Sequence, residues 1–329
     1  MSVLVTGAAG FIGMHTIKAL LERDEQVIGI DNINDYYDPA LKYARLAQIN
    51  NDTNFYFEKV DFSKQTSLNF LNKKHPEIDR IIHLGAQAGV RYSIDHPNQY
   101  VQSNLCGQLN ILEFCRSKMI APHALKNFIY ASSSSVYGSN TKIPFSENDN
   151  TDRPVSFYGA TKKAGEIMAQ SYSHLYQIPS IGLRFFTVYG PWGRPDMSPY
   201  IFTKSILNDL PIRVFNEGQM MRDFTFIEDI VSGIIGALDT PPKTLNETPP
   251  HRIYNLGNNK PVLLMEYINV IEKACKKKAI IDLQPMQPGD VIKTYANTRE
   301  SEQALGYAPT TSIDVGIPKF VDWYLSYHS

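Results

Sequence analysis

Short apolar runs recur along the chain at residues 3–5, 27–30, 55–60, 81–84, 128–130 and 181–185, bounded by turn-forming residues. Between them lie stretches with apolar positions at helical spacing, over 11–21, 100–114 and 158–176. A continuous apolar run suits a strand buried on both faces. Strands that alternate with helices therefore predict an α/β fold, a parallel sheet covered by helices on both sides. From about residue 186 the alternation breaks up, starting at the turn-rich Gly190-Pro191-Trp192-Gly193-Arg194-Pro195. We read a smaller C-terminal α/β lobe there. Residues 240–250 form a polar, proline-rich loop, and Arg252-Ile253-Tyr254-Asn255-Leu256 is expected to return to the main sheet as one more strand.

Composition narrows the partners. The chain has 329 residues, 43% hydrophobic and 20% charged, as globular proteins do. Lys plus Arg (32) nearly balances Asp plus Glu (33), so net charge favours neither nucleic acid nor a membrane surface. An anionic ligand must be bound by local positive charge. Cys106, Cys115 and Cys275 lack metal-ligand spacing and sit in helical patterns, which fits packing residues in a reducing compartment. No apolar run approaches membrane-spanning length, so the cytoplasm is the expected location.

Gly7-Ala8-Ala9-Gly10-Phe11-Ile12-Gly13 joins the first strand to the first helix. Glycines there permit a tight turn, let backbone approach a pyrophosphate and aim a helix N-terminus at the anion. A glycine triplet alone is more often just a strand–helix turn, but Asp31 follows the second strand at about the 20-residue offset where an acid receives ribose hydroxyls. No basic residue follows in Asn32-Ile33-Asn34-Asp35, which favours NAD over NADP. The sheet is thus a doubly wound, Rossmann-type one. Residues 1–185 are read as its NAD-binding domain, and 186–329 mainly as the substrate lobe. Asp61, after the third strand, is a candidate adenine contact, with a helix N-cap role as the alternative.

Ser156-Phe157-Tyr158-Gly159-Ala160-Thr161-Lys162 places Tyr158 and Lys162 four residues apart, on one face of a helix. Such pairs are common on exposed helices. Beside a dinucleotide turn, however, an ammonium, with the positive nicotinamide nearby, can lower a tyrosine pKa from about 10 toward neutrality and create a general base for an alcohol. Ala131-Ser132-Ser133-Ser134-Ser135-Val136-Tyr137-Gly138 follows the fifth strand, where an open α/β sheet keeps its ligands. One of its hydroxyls would share the proton.

At these residues the chain resembles the extended short-chain dehydrogenase/reductase superfamily, over nearly its whole length. More narrowly it resembles the UDP-glucuronate 4-epimerases, which interconvert UDP-glucuronate and UDP-galacturonate. The narrower likeness rests on Asp31-Asn32-Ile33-Asn34-Asp35-Tyr36-Tyr37-Asp38, Gln87-Ala88-Gly89-Val90-Arg91-Tyr92-Ser93, the stretch from Arg184 to Met197, Met221-Arg222-Asp223-Phe224 and Gln287-Pro288-Gly289-Asp290-Val291. His83-Leu84-Gly85-Ala86 departs, with Gly85 where the family usually has alanine.

The resemblance implies tightly bound NAD, held at Gly7, Gly10, Phe11, Ile12, Gly13, Asp31, Asn32, Asp61, Phe62, Leu84, Ala86, Asn104, Tyr158 and Lys162. It makes Ser133 the catalytic hydroxyl. Dehydratases of the superfamily carry Asp-Glu at the next two positions and uronate decarboxylases a glutamate directly before Val-Tyr-Gly; this chain has Ser134 and Ser135. Neutral hydroxyls can hold a sugar carboxylate without repelling it, and Thr187 stands where neutral-hexose enzymes often have asparagine. By resemblance, Arg91, Arg194 and Arg222 take the diphosphate-sugar portion, Phe215 the uracil and Asp290 its ribose. The expected protein is a homodimeric isomerase built on the helices of 100–114 and 158–176, with a UDP-sugar as its partner and a place in polysaccharide biosynthesis. A neutral-hexose epimerase, a uronate decarboxylase and a non-catalytic NAD sensor remain the alternatives.

Overall fold

A computed structural model describes residues 2–245, 247–286 and 291–329. Six strands of the large sheet are β1 (Ser2–Thr6), β2 (Val27–Asp31), β3 (Phe55–Lys59), β4 (Ile78–His83), β5 (Asn127–Ser133) and β6 (Ser180–Phe185). Three more strands follow: β7 (Thr187–Tyr189), β8 (Pro211–Phe215) and β9 (Met221–Phe226). The last are β10 (His251–Leu256), β11 (Pro261–Leu263) and β12 (Ile280–Gln284). The seven-stranded sheet has the order β10-β6-β5-β4-β1-β2-β3 and every neighbour is parallel. The winding direction reverses between β1 and β4. That reversal opens a crevice at the strands' carboxyl ends, between Gly7 and Leu84.

Alternating side chains feed two cores. Val3, Val5, Ile82, Ile129 and Leu183 face the helices Phe11–Leu21 and Ile227–Asp239. On the opposite face, Leu4, Ile28, Ile81 and Phe128 meet Leu68 and Leu71, Ile111 and Leu112, and Ala169 from three other helices. Each such buried aliphatic contributes about 1.5–3 kcal/mol. The first core continues past the sheet into Phe224, Tyr267 and Phe320 of the C-terminal part. There β9 lies between β7 and β11, while β12 pairs with β8. The Phe224 and Tyr267 rings stack with centroids 3.9 Å apart.

The helix expected over 100–114 is broken in a specific way. Pro97–Tyr100 is one turn, Val101–Cys106 is a wide turn with bonds reaching one residue further than in an α-helix, and regular helix runs only over Gly107–Met119. Gly107 lies close under Phe62: a Cβ there would come 2.5 Å from the ring. Strand β5 runs further than its apolar core suggested, taking in Ser132 and Ser133, and Ser134–Tyr137 then form a tight 3₁₀ turn. Among the described residues no helix is long and apolar enough to cross a membrane.

Candidate active site

The crevice is a cleft of ≈ 370 Å³. Gly7, in the left-handed region at φ +71, starts the turn. A Cβ on Gly13 would fall 2.0 Å from the Gly7 carbonyl oxygen, and one on Gly7 itself 2.9 Å from the backbone of Gly85. Only glycine lets these segments approach so closely. The helix Phe11–Leu21 begins at Gly10 with no side-chain cap, so its first amides remain available to an anion. The Asp31 carboxylate accepts from the Ala9 amide at 3.2 Å and the Ile33 amide at 2.8 Å, which fixes it at the cleft wall. These features fit a dinucleotide: a cradle without Cβ atoms, an uncapped helix start and an oriented acid.

Gly7, Gly10, Phe11, Ile12, Gly13, Asp31, Asn32, Phe62, Leu84 and Ala86 all line the cleft. Two other expected cofactor residues are not among its lining. Asp61 accepts from the Ser63 amide (3.0 Å) and hydroxyl (2.7 Å), forming a strand-end turn. Asn104 is buried by the wide turn and clasps the Gln87 backbone, accepting from its amide at 2.8 Å and donating to its carbonyl at 3.0 Å; its amide also reaches the Thr161 hydroxyl at 3.1 Å. It shapes the loop that faces the cleft. Gly85 has a packing reason as well, since a Cβ there would lie 2.6 Å from the Phe62 ring. Its amide donates to Thr6 Oγ1 at 2.9 Å, which in turn bonds His83 Nδ1 at 2.7 Å.

Opposite the glycine turn, Ser156 caps the helix Phe157–Tyr176 by accepting from the Gly159 amide at 3.0 Å. Its first turns carry Tyr158 and Lys162 into the cleft. The Tyr158 phenol lies beside Ser133. Burial raises its pKa, opposed by the Ser133 side chain and by the Arg194 guanidinium. This direction is the reverse of the expected lowering by Lys162. Desolvation dominates, and the Lys162 ammonium donates to the Ala131 carbonyl at 2.9 Å. Burial also pushes Lys162 down to about 8.

The serine run divides by position. Ser132 lines the cleft but donates to the buried Glu166 Oε1 at 2.6 Å, and Glu166 pairs with Arg184 at 2.8 and 2.9 Å. Ser133 accepts from the Ser135 amide at 3.1 Å and meets Tyr158. Ser134, Ser135 and Thr187 complete that wall, with Arg194 at its rim. The other expected substrate residues lie outside the cleft lining. Arg91 lies over the Phe215 ring at 4.4 Å, and Arg222 donates to the Met221 and Ile292 carbonyls at 3.0 and 3.1 Å. Asp290 falls outside the described residues. The neighbouring Asp223 is buried and accepts from the amides of Asn258, Asn259 and Ala296, so it pins the C-terminal part together.

Sequence reasoning missed Tyr36, Lys42 and Gln87, all of which line the cleft. Lys42 is buried beside Asn34 and near Asp31. It answers the absence of a basic residue directly after Asp31, because the helix Pro39–Ala47 folds back to the same wall. The helical period of that stretch would mark an inward face, but nothing in it marks an inward-facing lysine as a ligand.

The model of the NAD dependent epimerase/dehydratase family matches residues 3–257. The protein CapI of Staphylococcus aureus is 48% identical over all of this chain and 99% of its own length. UDP-glucuronate 4-epimerase 4 of Arabidopsis thaliana is also 48% identical, over all of this chain and 76% of its own. The structure of UDP-glucuronic acid 4-epimerase from Bacillus cereus, in complex with UDP-glucuronic acid and NAD, is 33% identical. It superposes with a TM-score of 0.89, covering 99% of this chain and 100% of that one.

Proposed function

We propose that this chain, which belongs to the NAD dependent epimerase/dehydratase family, is a 4-epimerase that interconverts UDP-glucuronate and UDP-galacturonate with bound NAD. One observation carries the reading. The cleft that fits a dinucleotide ends at a Tyr158–Ser133 pair flanked by neutral hydroxyls, with no carboxylate at positions 134 and 135. NAD, when bound, supplies the acceptor that stores the C4 hydride of the sugar and returns it to the opposite face.

The protein supplies orientation and proton handling. Tyr158 takes the C4 hydroxyl proton, Ser133 shares it, and Lys162 and Arg194 favour the phenolate by their charge. Residues 1–185, with the strand at 252–256, hold the cofactor, with Asp61 and Asn104 shaping its walls. Residues 186–329 mainly hold the UDP-sugar. Arg91, Arg194 and Arg222 take the diphosphate-sugar portion, Phe215 the uracil and Asp290 its ribose. Ser134, Ser135 and Thr187 hold the carboxylate. That grip matters because a 4-keto uronate is a β-keto acid, which loses CO₂ when the C5–C6 bond lies parallel to the carbonyl π system. Holding the bond out of that alignment keeps the carbon.

UDP-glucuronate labelled with carbon-13 at C6 tests this by NMR. Wild type is expected to give UDP-galacturonate with its label retained, and Thr187→Ala to leak a measurable fraction as CO₂. Labelled CO₂ as the main wild-type product would make the protein a decarboxylase. Turnover of UDP-glucose alone would reduce Thr187 to a packing residue, and no turnover with NAD bound would leave a sensor.

A homodimer fits the same chain. Val101 and Leu109 on one helical stretch, and Ile167 and Leu175 on the helix Phe157–Tyr176, expose apolar side chains that a two-fold partner would cover. Sedimentation at micromolar concentration tests that; a monomer would remove it. The three unpaired thiols support a reducing, cytoplasmic setting.

A further inference from the structure

Contacts of two kinds tie the loop that follows β7 to the cofactor wall, and His15 Nε2 adds a part-buried bond to the Pro191 carbonyl at 3.0 Å. The inner kind centres on Arg45, fully buried in the helix Pro39–Ala47. It donates to the Trp192 carbonyl through Nε (3.0 Å) and Nη2 (2.8 Å) and to the Ala9 carbonyl through Nη1 (3.2 Å). The Trp192 ring meanwhile packs on Trp323, with centroids 5.3 Å apart. The base of the loop is therefore anchored both to the glycine turn and to the C-terminal helix Ile313–His328.

The outer contact is a single hydrogen bond. Tyr36, from the loop after Asp31, donates to Asp196 Oδ2 at 3.1 Å. Asp196 is gripped by Arg194, Nε to Oδ1 at 2.9 Å and Nη2 to Oδ2 at 2.6 Å. Tyr36 and Arg194 both line the cleft, so their link through Asp196 crosses from one wall to the other. The Tyr36 ring is braced edge-on by Tyr92 at 4.8 Å and lies against Gly89, where a Cβ would come 2.8 Å from its hydroxyl. Gly89 has φ +99, a conformation that keeps this space clear.

We propose that Tyr36 and Asp196 form a latch that retains the dinucleotide in the cleft through successive turnovers, with Arg45 as its fixed base. This rests on reading the cleft as the seat of a resident cofactor. A 4-epimerase must return the stored hydride to the same sugar, so the cofactor has to stay while sugars exchange. The bridge joins the wall carrying Asp31 to the rim carrying Arg194, so a dinucleotide running from Asp31 to Tyr158 leaves only once that link opens. One partly exposed hydrogen bond can open without disturbing the buried ties beneath it.

The test is the release rate of NAD from purified holoprotein, followed by trapping the freed nucleotide with an excess of an unrelated dehydrogenase. Tyr36→Phe removes only the hydroxyl, and a hydrogen bond to a charged acceptor corresponds to roughly a tenfold or greater change in rate. Asp196→Ala should release at least as fast, and the double variant no faster than Asp196→Ala alone, because both act through one contact. Tyr36→Phe should also lose activity on dilution and recover it with added NAD, at an unchanged melting temperature. Release as slow as wild type in both single variants, or full additivity in the double variant, overturns the latch. Weaker UDP-sugar binding with unchanged NAD release would also overturn it, leaving these residues to orient Arg194 alone. If wild type ignores UDP-glucuronate, the function above fails, while the release rates still decide the latch.

Discussion

Two buried cations lie beside strand β5, and their surroundings are opposite. Arg184, 2% exposed, is closed in: Glu166 accepts two of its bonds, and it also donates to the Tyr137 hydroxyl at 3.0 Å. Lys162, four residues before Glu166 on the same helix face, meets a backbone carbonyl and no carboxylate. The Glu166 carboxylate and the hydrogen bonds hold Arg184 charged, with its pKa raised against burial. Lys162 is brought down to about 8 by burial. The closed pair suits stability, and the proposed function assigns the open group to chemistry. Perturbed, uncompensated groups in a cleft are the ones whose protonation can change during turnover. Ser132 and Ser133 repeat the contrast, one bonded to Glu166 and the other beside Tyr158.

The largest effect should come from the open side. Tyr158→Phe is expected to lower turnover by about 10² to 10⁴-fold while calorimetry finds UDP-sugar binding nearly intact, because it removes the base and leaves the anion ligands. Near-normal turnover would dissolve the distinction at its catalytic end. On the closed side, Glu166→Ala strands the buried Arg184 and should cost about 3–5 kcal/mol in urea unfolding. Its folded fraction should keep much of its turnover. Loss of all activity at unchanged stability would show that the pair beneath the serines works in the chemistry after all.

The smallest effect is a pH dependence in the cofactor-free protein. Lys162 has a folded pKa of about 8 against an ordinary value of 10.5, so between those values the unfolded chain holds more protons than the folded one. Stability then rises with pH across that window, and the penalty of the buried charge is complete below about 8. Unfolding of wild type and Lys162→Met should therefore diverge in slope from about pH 8 upward, wild type gaining. Parallel curves would mean that water or a counter-charge reaches the ammonium.

The sequence by itself determined what depends on neighbours along the chain. Strand–helix alternation specified the parallel sheet, the glycine triplet specified a turn that no Cβ permits, and four-residue spacing put Tyr158 and Lys162 on one face. Each follows from backbone geometry and local period, which every copy of such a segment shares. The split between Ser132 and Ser133 was harder to read, because four identical side chains carry no mark of which meets Glu166 and which meets Tyr158. Asp61 and Asn104 turned to neighbouring backbone and side chains for the same reason: a motif position does not say which donor lies nearest.

Tertiary structure alone decided the rest. The Tyr36–Asp196 bond spans 160 residues and the Arg45–Trp192 bonds 147, and in neither case does any local pattern announce the partner. Lys42 reached the cofactor wall only because its helix folds back beside Asp31. The direction of the Tyr158 shift depended on how much water the finished cleft excludes, a property of the packed molecule that no spacing of residues records.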